Sequence, residues 1–280
     1  MTFSQKLDKI IIENNSLVCV GLDSDIEKIP SFLKNKKYPQ FEFNKAIIDA
    51  THDLVCSYKP NIAFYEAEGV KGLLELKKTM AYLKKNYPKI PVILDAKRAD
   101  IGSTNQGYVK FIFDYLKADA VTVNPYLGEE ALAPFLAEKD KGIIVLCKTS
   151  NPGAAEFQDL YLMNDRPLDK SELYKYVAYQ VSKKWNKNKN CFLVVGATYP
   201  QELKEVRKIV GEMTLLIPGV GRQGGDLEKV LAVGLNSEKK GLIINSSRAI
   251  IFCSFGKDFD QRAREEAKKL KDKINLYRKS

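Results

Sequence analysis

Eight short apolar runs, separated by segments with helical periodicity, are the feature that most constrains the fold of this 280-residue chain. The runs are rich in β-branched residues and continuously apolar, which is typical of strands buried on both faces of a parallel sheet. They span residues 17–22, 55–59, 92–97, 120–124, 142–147, 192–196, 214–217 and 242–245. We therefore predict eight parallel strands.

Between these runs, apolar residues recur every three or four positions, as on one face of an amphipathic helix. Two such sets are Leu73, Leu76, Met80 and Leu83, and Tyr108, Ile112, Tyr115 and Leu116. Strand and helix alternate along the whole chain without a Pro-, Gly- or Ser-rich linker. This alternation predicts an α/β fold, a single (β/α)8 TIM barrel, in which residues 1–280 form one domain.

The alternative is an open, doubly wound sheet, which usually carries a glycine-rich fingerprint after its first strand. Here the first run ends in Gly21, Leu22 and Asp23, and a second carboxylate, Asp25, follows. Acidic side chains at that place would repel a pyrophosphate. The sequence therefore favours the closed barrel.

The histidine and cysteine content argues against several kinds of site. His52 is the only histidine, so nucleophilic sites that need a histidine base and zinc sites built on histidine are disfavoured. The cysteines are far apart and form no Cys-x-x-Cys pair; they are Cys19, Cys56, Cys147, Cys191 and Cys253. We expect buried, reduced thiols in a cytoplasmic protein.

The formal net charge of +10 is spread over the chain in pairs and short runs of lysine, with few aromatic residues beside them. Such a distribution is typical of a solvated surface rather than of a nucleic-acid interface. The amino-terminal segment lacks the apolar region of a signal peptide, and the longest apolar runs are of strand length. We expect no nucleic-acid partner and no membrane span.

Polar residues follow seven of the eight predicted strands. In a (β/α)8 barrel the chemistry lies at the carboxyl ends of the strands, so these residues are candidates for one shared site. They are Asp23, Lys59, Asn61, Asp95, Lys97, Asn124, residues 148–151, Gln223 and Arg248.

The densest polar segment is Asp95-Ala96-Lys97-Arg98-Ala99-Asp100. Strand alternation places Asp95 and Lys97 on the same face, and Asp100 comes just after the strand. One ammonium between two carboxylates stays protonated and keeps both acids ionised. We therefore expect an ion array that acts on a charged substrate, with a structural buried salt bridge as the alternative.

The loops after the seventh and eighth runs have the composition of a phosphate site. Glycines are frequent in residues 218–225, just before a predicted helix start at about Asp226, and Arg248 follows the eighth run. Glycine lets backbone N–H groups approach an anion, and arginine binds phosphate with two parallel hydrogen bonds. The sequence therefore predicts a phosphate monoester ligand.

Residues 151–171, after the fifth run, are predicted to form an irregular loop that covers the site.

These segments together resemble the orotidine 5'-phosphate decarboxylase family, in its longer bacterial and protozoan branch. The resemblance covers nearly the whole chain. It rests on Gly-Leu-Asp at 21–23, Tyr-Lys-Pro-Asn at 58–61, Asp-Ala-Lys-Arg-Ala-Asp-Ile-Gly at 95–102, Val-Asn-Pro-Tyr-Leu-Gly at 123–128, Lys-Thr-Ser-Asn-Pro-Gly at 148–153, Pro-Gly-Val-Gly at 218–221, Gln-Gly-Gly at 223–225 and Ser-Arg at 247–248. It implies a homodimeric barrel that removes CO2 from orotidine 5'-monophosphate, without metal or organic cofactor, to give UMP.

The resemblance also implies a role for individual residues. Lys59, Asp95, Lys97 and Asp100 match the family's charged tetrad, with Lys97 as the proton donor to the C6 carbanion. Asp100 and Thr104 are implied to reach into the partner subunit's site. The implied substrate-binding residues are Asp23 and Asn61 near the ribose, Thr149 or Ser150 at the pyrimidine edge, and Pro218, Gln223 and Arg248 around the phosphate end.

The nearest alternative is a metal-dependent phosphosugar decarboxylase or epimerase of the same barrel superfamily, which shares the Asp-x-Lys-x-x-Asp pattern. The segments Lys59-Pro60-Asn61 and Pro218-Gly219-Val220-Gly221 favour the nucleotide enzyme.

Overall fold

The computed structural model describes residues 1–163, 170–220 and 226–279. Within these residues the strands are β1 (Val18–Leu22), β2 (Ser57–Pro60), β3 (Ile93–Arg98), β4 (Ala120–Val123), β5 (Gly142–Lys148), β6 (Tyr161–Leu162), β7 (Ser171–Glu172), β8 (Cys191–Val195), β9 (Leu215–Ile217) and β10 (Leu242–Ser246).

The α-helices of the same residues alternate with these strands. They are α1 (Phe3–Glu13), α2 (Ser31–Lys34), α3 (Pro39–Thr51), α4 (Ala63–Glu66), α5 (Gly69–Asn86), α6 (Gly102–Val109), α7 (Gly128–Leu136), α8 (Ala155–Gln158), α9 (Leu173–Tyr179), α10 (Pro200–Val210), α11 (Leu227–Gly234), α12 (Arg248–Ile251) and α13 (Phe259–Lys279). The π-helical segments Lys110–Tyr115 and Gln180–Trp185 continue α6 and α9.

Eight of the strands form one sheet in the order β2-β1-β10-β9-β8-β5-β4-β3, and all neighbouring strands are parallel. The two outer strands of this order, β2 and β3, meet through isolated parallel bridges at Tyr58 with Val92 and at Asn61 with Asp95. The Ile62 N–H also donates to the Asp95 carbonyl at 3.2 Å. These contacts bring the sheet to a nearly closed barrel, so the predicted fold class is confirmed.

The eight predicted strands all occur, with ends that differ from the apolar runs by one or two residues. Apart from the last residues of β3, their side chains are almost entirely buried on both faces, as the continuous apolar runs indicated. The organisation of residues 1–280 as one domain stays a prediction.

The amino-terminal helix covers the lower end of the barrel, where the strands begin. Its capping box at Thr2 and Gln5 sets the helix start, and its apolar face buries Phe3, Leu7 and neighbouring residues. The Phe3 ring meets Phe192, at the start of β8, edge to face with the ring centroids 5.1 Å apart. The opposite end of the barrel, where the strands finish, is left open.

The segment after β5 is more ordered than the predicted irregular loop. It contains a 3-10 turn at Pro152–Ala154, the helix α8, and β6 paired antiparallel with β7. Residues 164–169, between those two strands, lie outside the described residues. Among the described helices, none combines the length and apolar character that crossing a membrane requires.

Candidate active site

A cavity of about 460 Å³ lies at the carboxyl ends of the barrel strands. It brings together most of the predicted site residues, which come from distant parts of the sequence. Those that line it are Asp23, Lys59, Asn61, Asp95, Lys97, Thr149, Ser150, Pro218 and Arg248. Leu146, Val194 and Leu216 form an apolar wall. A volume of this size suits a small-molecule ligand.

The innermost charges of the cavity are Lys59, at the end of β2, and Asp95 of β3. Lys59 is 3% exposed, and its Nζ lies 2.8 Å from Asp95 Oδ2 and 3.9 Å from Asp23 Oδ1. Burial opposes the charged form of the lysine, but Asp95 and Asp23 outweigh it and raise the pKa of Lys59 above its ordinary value. The ammonium is therefore firmly protonated.

The Asp95 carboxylate is shared between two lysines. Its Oδ2 accepts from Lys59, and its Oδ1 accepts from Lys97 Nζ at 2.6 Å. Burial would raise the pKa of Asp95, but the two ammonium groups hold that pKa well below its usual range. The carboxylate therefore stays ionised at neutral pH.

Lys97 is the outer member of this row, and its side chain is about half exposed at 48%. Its backbone is left-handed, with φ of 47°, and the pairing of β3 with β4 is irregular between Leu94 and Arg98. Asp95 and Lys97 thus meet in the cavity, but through a bulge rather than through the regular alternation that the sequence predicted.

Asp100 and Thr104 do not join this group within the chain. Neither lines the cavity, and Asp100 Oδ1 accepts from the N–H of Ile101 at 2.7 Å. Among the ion pairs of the described residues, Lys97 pairs with Asp95 and not with Asp100. Within the described residues of one chain, Lys97 therefore contacts one carboxylate and not two, and Asp100 lies two residues beyond the end of β3.

Asp23 faces the cavity beside Lys59. Its Oδ1 is buried without a hydrogen-bond partner among the described residues. The next residue is held firmly, since the Gln40 side chain donates to the Ser24 carbonyl at 2.7 Å and to the Phe64 carbonyl at 2.8 Å. A buried carboxylate oxygen that accepts no hydrogen bond, on a fixed loop, is suited to accept one from a ligand hydroxyl.

The segment after β5 holds Thr149 through several hydrogen bonds. The Thr149 hydroxyl donates to Asn151 Oδ1 at 2.6 Å and accepts from Gln158 Nε2 at 2.8 Å. Gln158 Oε1 also accepts the Thr149 N–H at 2.8 Å. The Thr149 side chain is thus engaged within its own loop. A Cβ at Gly196 would lie 2.8 Å from Ser150 Cβ, so glycine at the end of β8 leaves room for Ser150 at the cavity.

The opposite side of the cavity is formed by the ends of β9 and β10. Pro218 and the exposed Arg248 line it, and Arg248 forms no ion pair within the described part of the chain. Gly21 of β1 makes room here, because a Cβ on it would lie 1.8 Å from Ser247 Oγ. Gln223 belongs to residues 221–225, which lie outside the described residues.

The sequence reasoning missed several residues that line the cavity, among them the polar residues Thr122 and Gln158. Thr122 interrupts the apolar run of β4, and this single polar residue inside a buried strand was a usable signal. Gln158 comes from α8, in a segment with no periodicity to place it. Lys148, which the strand-end argument included, does not line the cavity.

Comparison with known proteins identifies the family. The model of the orotidine 5'-phosphate decarboxylase / HUMPS family matches residues 16–254. The orotidine 5'-phosphate decarboxylase of Cellvibrio japonicus is 51% identical over 280 residues, with 99% of this chain and 100% of that relative covered.

Solved structures agree in fold over nearly the whole chain. The OMP decarboxylase of Leishmania donovani is 36% identical with a TM-score of 0.85, and both chains are covered completely, at 100%. A structure from Toxoplasma gondii, described as an orotidine-monophosphate decarboxylase, is 38% identical with a TM-score of 0.88 and covers 99% of this chain and 97% of its own. The chain belongs to the orotidine 5'-phosphate decarboxylase / HUMPS family.

Proposed function

We propose that this protein removes CO2 from orotidine 5'-monophosphate to form UMP, with Lys97 as the proton donor and without a metal or organic cofactor. The observation that carries the proposal is the row Lys59, Asp95 and Lys97, in which the outermost ammonium enters a cavity with an apolar wall. Relatives about half identical to this chain over their full length carry the name of this activity.

The chemistry follows from this row of charges. When the bond between C6 and the carboxylate breaks, its electron pair stays on C6 and CO2 leaves. The Lys97 ammonium stabilises that carbanion and then transfers a proton from Nζ to C6, which completes the C–H bond. Asp95, which its two neighbouring lysines keep ionised, holds Lys97 Nζ in place before the reaction begins.

Asp95 also acts on the substrate carboxylate. An ionised carboxylate at the base of the cavity repels the negative charge of bound substrate, and this repulsion disappears when CO2 departs. Stabilisation of the carbanion by a preorganised ammonium is the larger effect in this mechanism, because groups fixed in advance beside the developing charge usually make the largest single contribution to catalysis.

The remainder of the substrate is bound away from the bond that breaks. Arg248 and Gln223 bind the phosphate in this proposal, and Pro218 lines the cavity as Arg248 does. Asp23 Oδ1 accepts a ribose hydroxyl, with Asn61 next to it. Binding energy from these remote groups positions the ring over Lys97.

Ser150 rather than Thr149 contacts the pyrimidine edge in this proposal. The Thr149 hydroxyl already donates to Asn151 and accepts from Gln158. Ser150 lines the cavity next to Gly196, which leaves space for it.

The functional unit is a homodimer in the cytoplasm, with sites shared between subunits. Asp100 and Thr104 lie outside their own cavity, and the apolar residues near them are exposed: Ile101 by 61%, Tyr126 by 85% and Leu127 by 45%. A second copy packed on this rim buries those side chains and brings Asp100 and Thr104 to the other site.

A shared site is tested by mixing two inactive variants. Asp100→Ala and Lys59→Ala subunits each lack one of the four members of the charged group. In a verified heterodimer, one of the two sites regains both residues, so partial activity should return. A verified heterodimer without recovered activity contradicts the shared site.

The activity itself is tested by following the absorbance of orotidine 5'-monophosphate. The wild-type protein should consume it at the same rate with and without EDTA, and Lys97→Ala should lower kcat about 1,000-fold or more while the protein stays folded. Loss of activity on chelation would favour the metal-dependent phosphosugar enzymes of the superfamily. Near-normal turnover by Lys97→Ala would refute its role as the acid.

A further inference from the structure

The hydroxyl of Thr122 forms three hydrogen bonds beneath the catalytic lysine. Thr122 is 1% exposed in β4, and its Oγ1 accepts from the N–H of Ala96 at 3.0 Å and of Lys97 at 2.9 Å. The same hydroxyl lies 2.8 Å from Asp95 Oδ1, to which it donates its proton. A hydroxyl has one donor and two acceptor positions, so all of them are used.

These bonds replace the backbone pairing that the sheet loses at this point. Leu94 pairs with Val121 and Arg98 with Val123, so residues 95–97 of β3 lie opposite the single residue Thr122 of β4. Two successive amides of the bulge, at Ala96 and Lys97, therefore donate to a side-chain oxygen instead of to carbonyls of β4.

The backbone of the bulge also adopts an unfavourable conformation at Lys97. Lys97 has φ of 47°, a left-handed conformation that residues with a side chain adopt only when the surroundings impose it. The bond from its N–H to Thr122 is made in that conformation. The neighbouring bond to Asp95 Oδ1 fixes the oxygen that accepts Lys97 Nζ at 2.6 Å.

We propose that Thr122 is a positioning residue for the reaction: its hydroxyl holds the left-handed backbone at Lys97 and the Asp95 carboxylate in the one arrangement that presents the Lys97 ammonium to the substrate. The hydroxyl is fully engaged by the protein, so it acts through these two residues and not on the substrate. This inference rests on the proposed function.

The main test is Thr122→Val, which keeps the branched shape and removes the hydroxyl. Displacing a catalytic group by a fraction of an ångström to 1 Å lowers turnover by up to about 100-fold. We expect kcat with orotidine 5'-monophosphate to fall by about 30- to 100-fold, with KM and the Kd for UMP within about threefold of wild type. Thr122→Ser, which restores the hydroxyl, should keep kcat within about threefold.

A matched control separates positioning from ordinary stabilisation. Thr51 is also a fully buried threonine, and its hydroxyl bonds to the Ile47 carbonyl at 2.7 Å and to the Tyr58 hydroxyl at 2.8 Å, away from the cavity. Thr51→Val should lower the melting temperature but leave kcat unchanged. Equal losses of kcat in Thr51→Val and Thr122→Val would overturn the proposal, as would a Thr122→Val enzyme with normal kcat.

Two further measurements keep the outcome decisive. If Thr122→Val does not fold, Thr122→Cys, which has a similar size and weaker hydrogen bonds, should fold and lose about tenfold in kcat; normal turnover contradicts the proposal. Crystal structures should show positive φ at residue 97 in wild type and Thr122→Ser, and its loss in the valine or cysteine variant. If wild type does not decarboxylate orotidine 5'-monophosphate, the proposed function fails. An unchanged φ at residue 97 in the valine or cysteine variant refutes the positioning role, whatever the outcome for the function.

Discussion

Two lysines, Lys59 and Lys148, end strands on different sides of the barrel, and both are buried, with 3% and 0% exposure. Lys59 pairs with Asp95 and, at a longer distance, with Asp23, whereas Lys148 pairs with Asp159. Lys59 contacts Asp95, which belongs to another barrel strand and is itself buried, whereas Lys148 contacts Asp159, which follows α8 and has a side chain 38% exposed. Lys59 lines the cavity, and Lys148 does not.

The difference arises from the backbone around each lysine. β5 pairs Leu146 with Val194 but Lys148 with Val195, so one extra residue on β5 disturbs the alternation of faces. Leu146 remains in the cavity wall, while Lys148 Nζ lies 4.7 Å from the centroid of the Tyr199 ring. Lys148 therefore anchors the segment after β5, and Lys59 contributes charge to the site.

The comparison between the two lysines is tested by changing each of them to methionine in a separate variant, and the larger effect is expected at Lys59. Lys59→Met removes the inner ammonium from Asp95 and leaves that carboxylate with Lys97 as its one ammonium partner among the described residues, so the array that positions Lys97 is disturbed. We expect kcat to fall about 1,000-fold, measured by the absorbance of orotidine 5'-monophosphate, together with a loss of about 3 kcal/mol in the free energy of unfolding. Turnover within tenfold of wild type would remove Lys59 from the catalytic group.

A smaller effect is expected on the stability of the protein at acidic pH. The folded state holds the pKa of Asp95 below its unfolded value, so its ionised form contributes stability above the unfolded pKa, and this contribution is lost as pH falls toward the folded pKa. Between pH 5 and pH 2 we expect the free energy of unfolding to fall by on the order of 2 kcal/mol as the contribution of the Asp95 and Lys59 pair is lost. Urea denaturation at each pH measures this loss. Asp95→Asn should show a shallower pH dependence; an equal slope would contradict this assignment.

The smallest effect is expected for Lys148, which anchors the segment after β5. Lys148→Met fills the buried space but releases Asp159, so the segment that carries Ser150 loses one attachment. We expect KM to rise about tenfold with kcat nearly unchanged, because binding and not chemistry depends on this loop. Asp159→Asn should have the same effect in a weaker form. A loss of kcat comparable to that of Lys59→Met would erase the distinction between the two lysines.

The sequence predicted the barrel well because its signal is local. Each buried strand had to be a short apolar run, and each helix had to show its apolar face every three or four residues. The same reasoning placed Asp23, Lys59, Asn61 and Asp95 together, since the carboxyl ends of parallel strands meet at one end of a barrel.

Side chains next to bulges were harder to place from the sequence. Alternation predicted the meeting of Asp95 and Lys97, but the structure reaches it through a left-handed residue and the Thr122 hydroxyl. The strand-end argument also made Lys148 a candidate site residue, and there the extra residue of β5 directs it elsewhere. In a single chain, Asp100 could not be placed at all by sequence periodicity, because it follows the strand.

The amino-acid sequence by itself thus determined the eight-stranded barrel, the end at which the chemistry lies, and the lysine and aspartate character of a site in a chain with one histidine. Tertiary structure alone decided which buried lysine faces the cavity, that Thr149 is engaged within its loop, and that Thr122 supports Lys97. The physical reason is that pairing between strands distant in sequence sets where a bulge forms, and the bulge determines the direction of every polar side chain beside it.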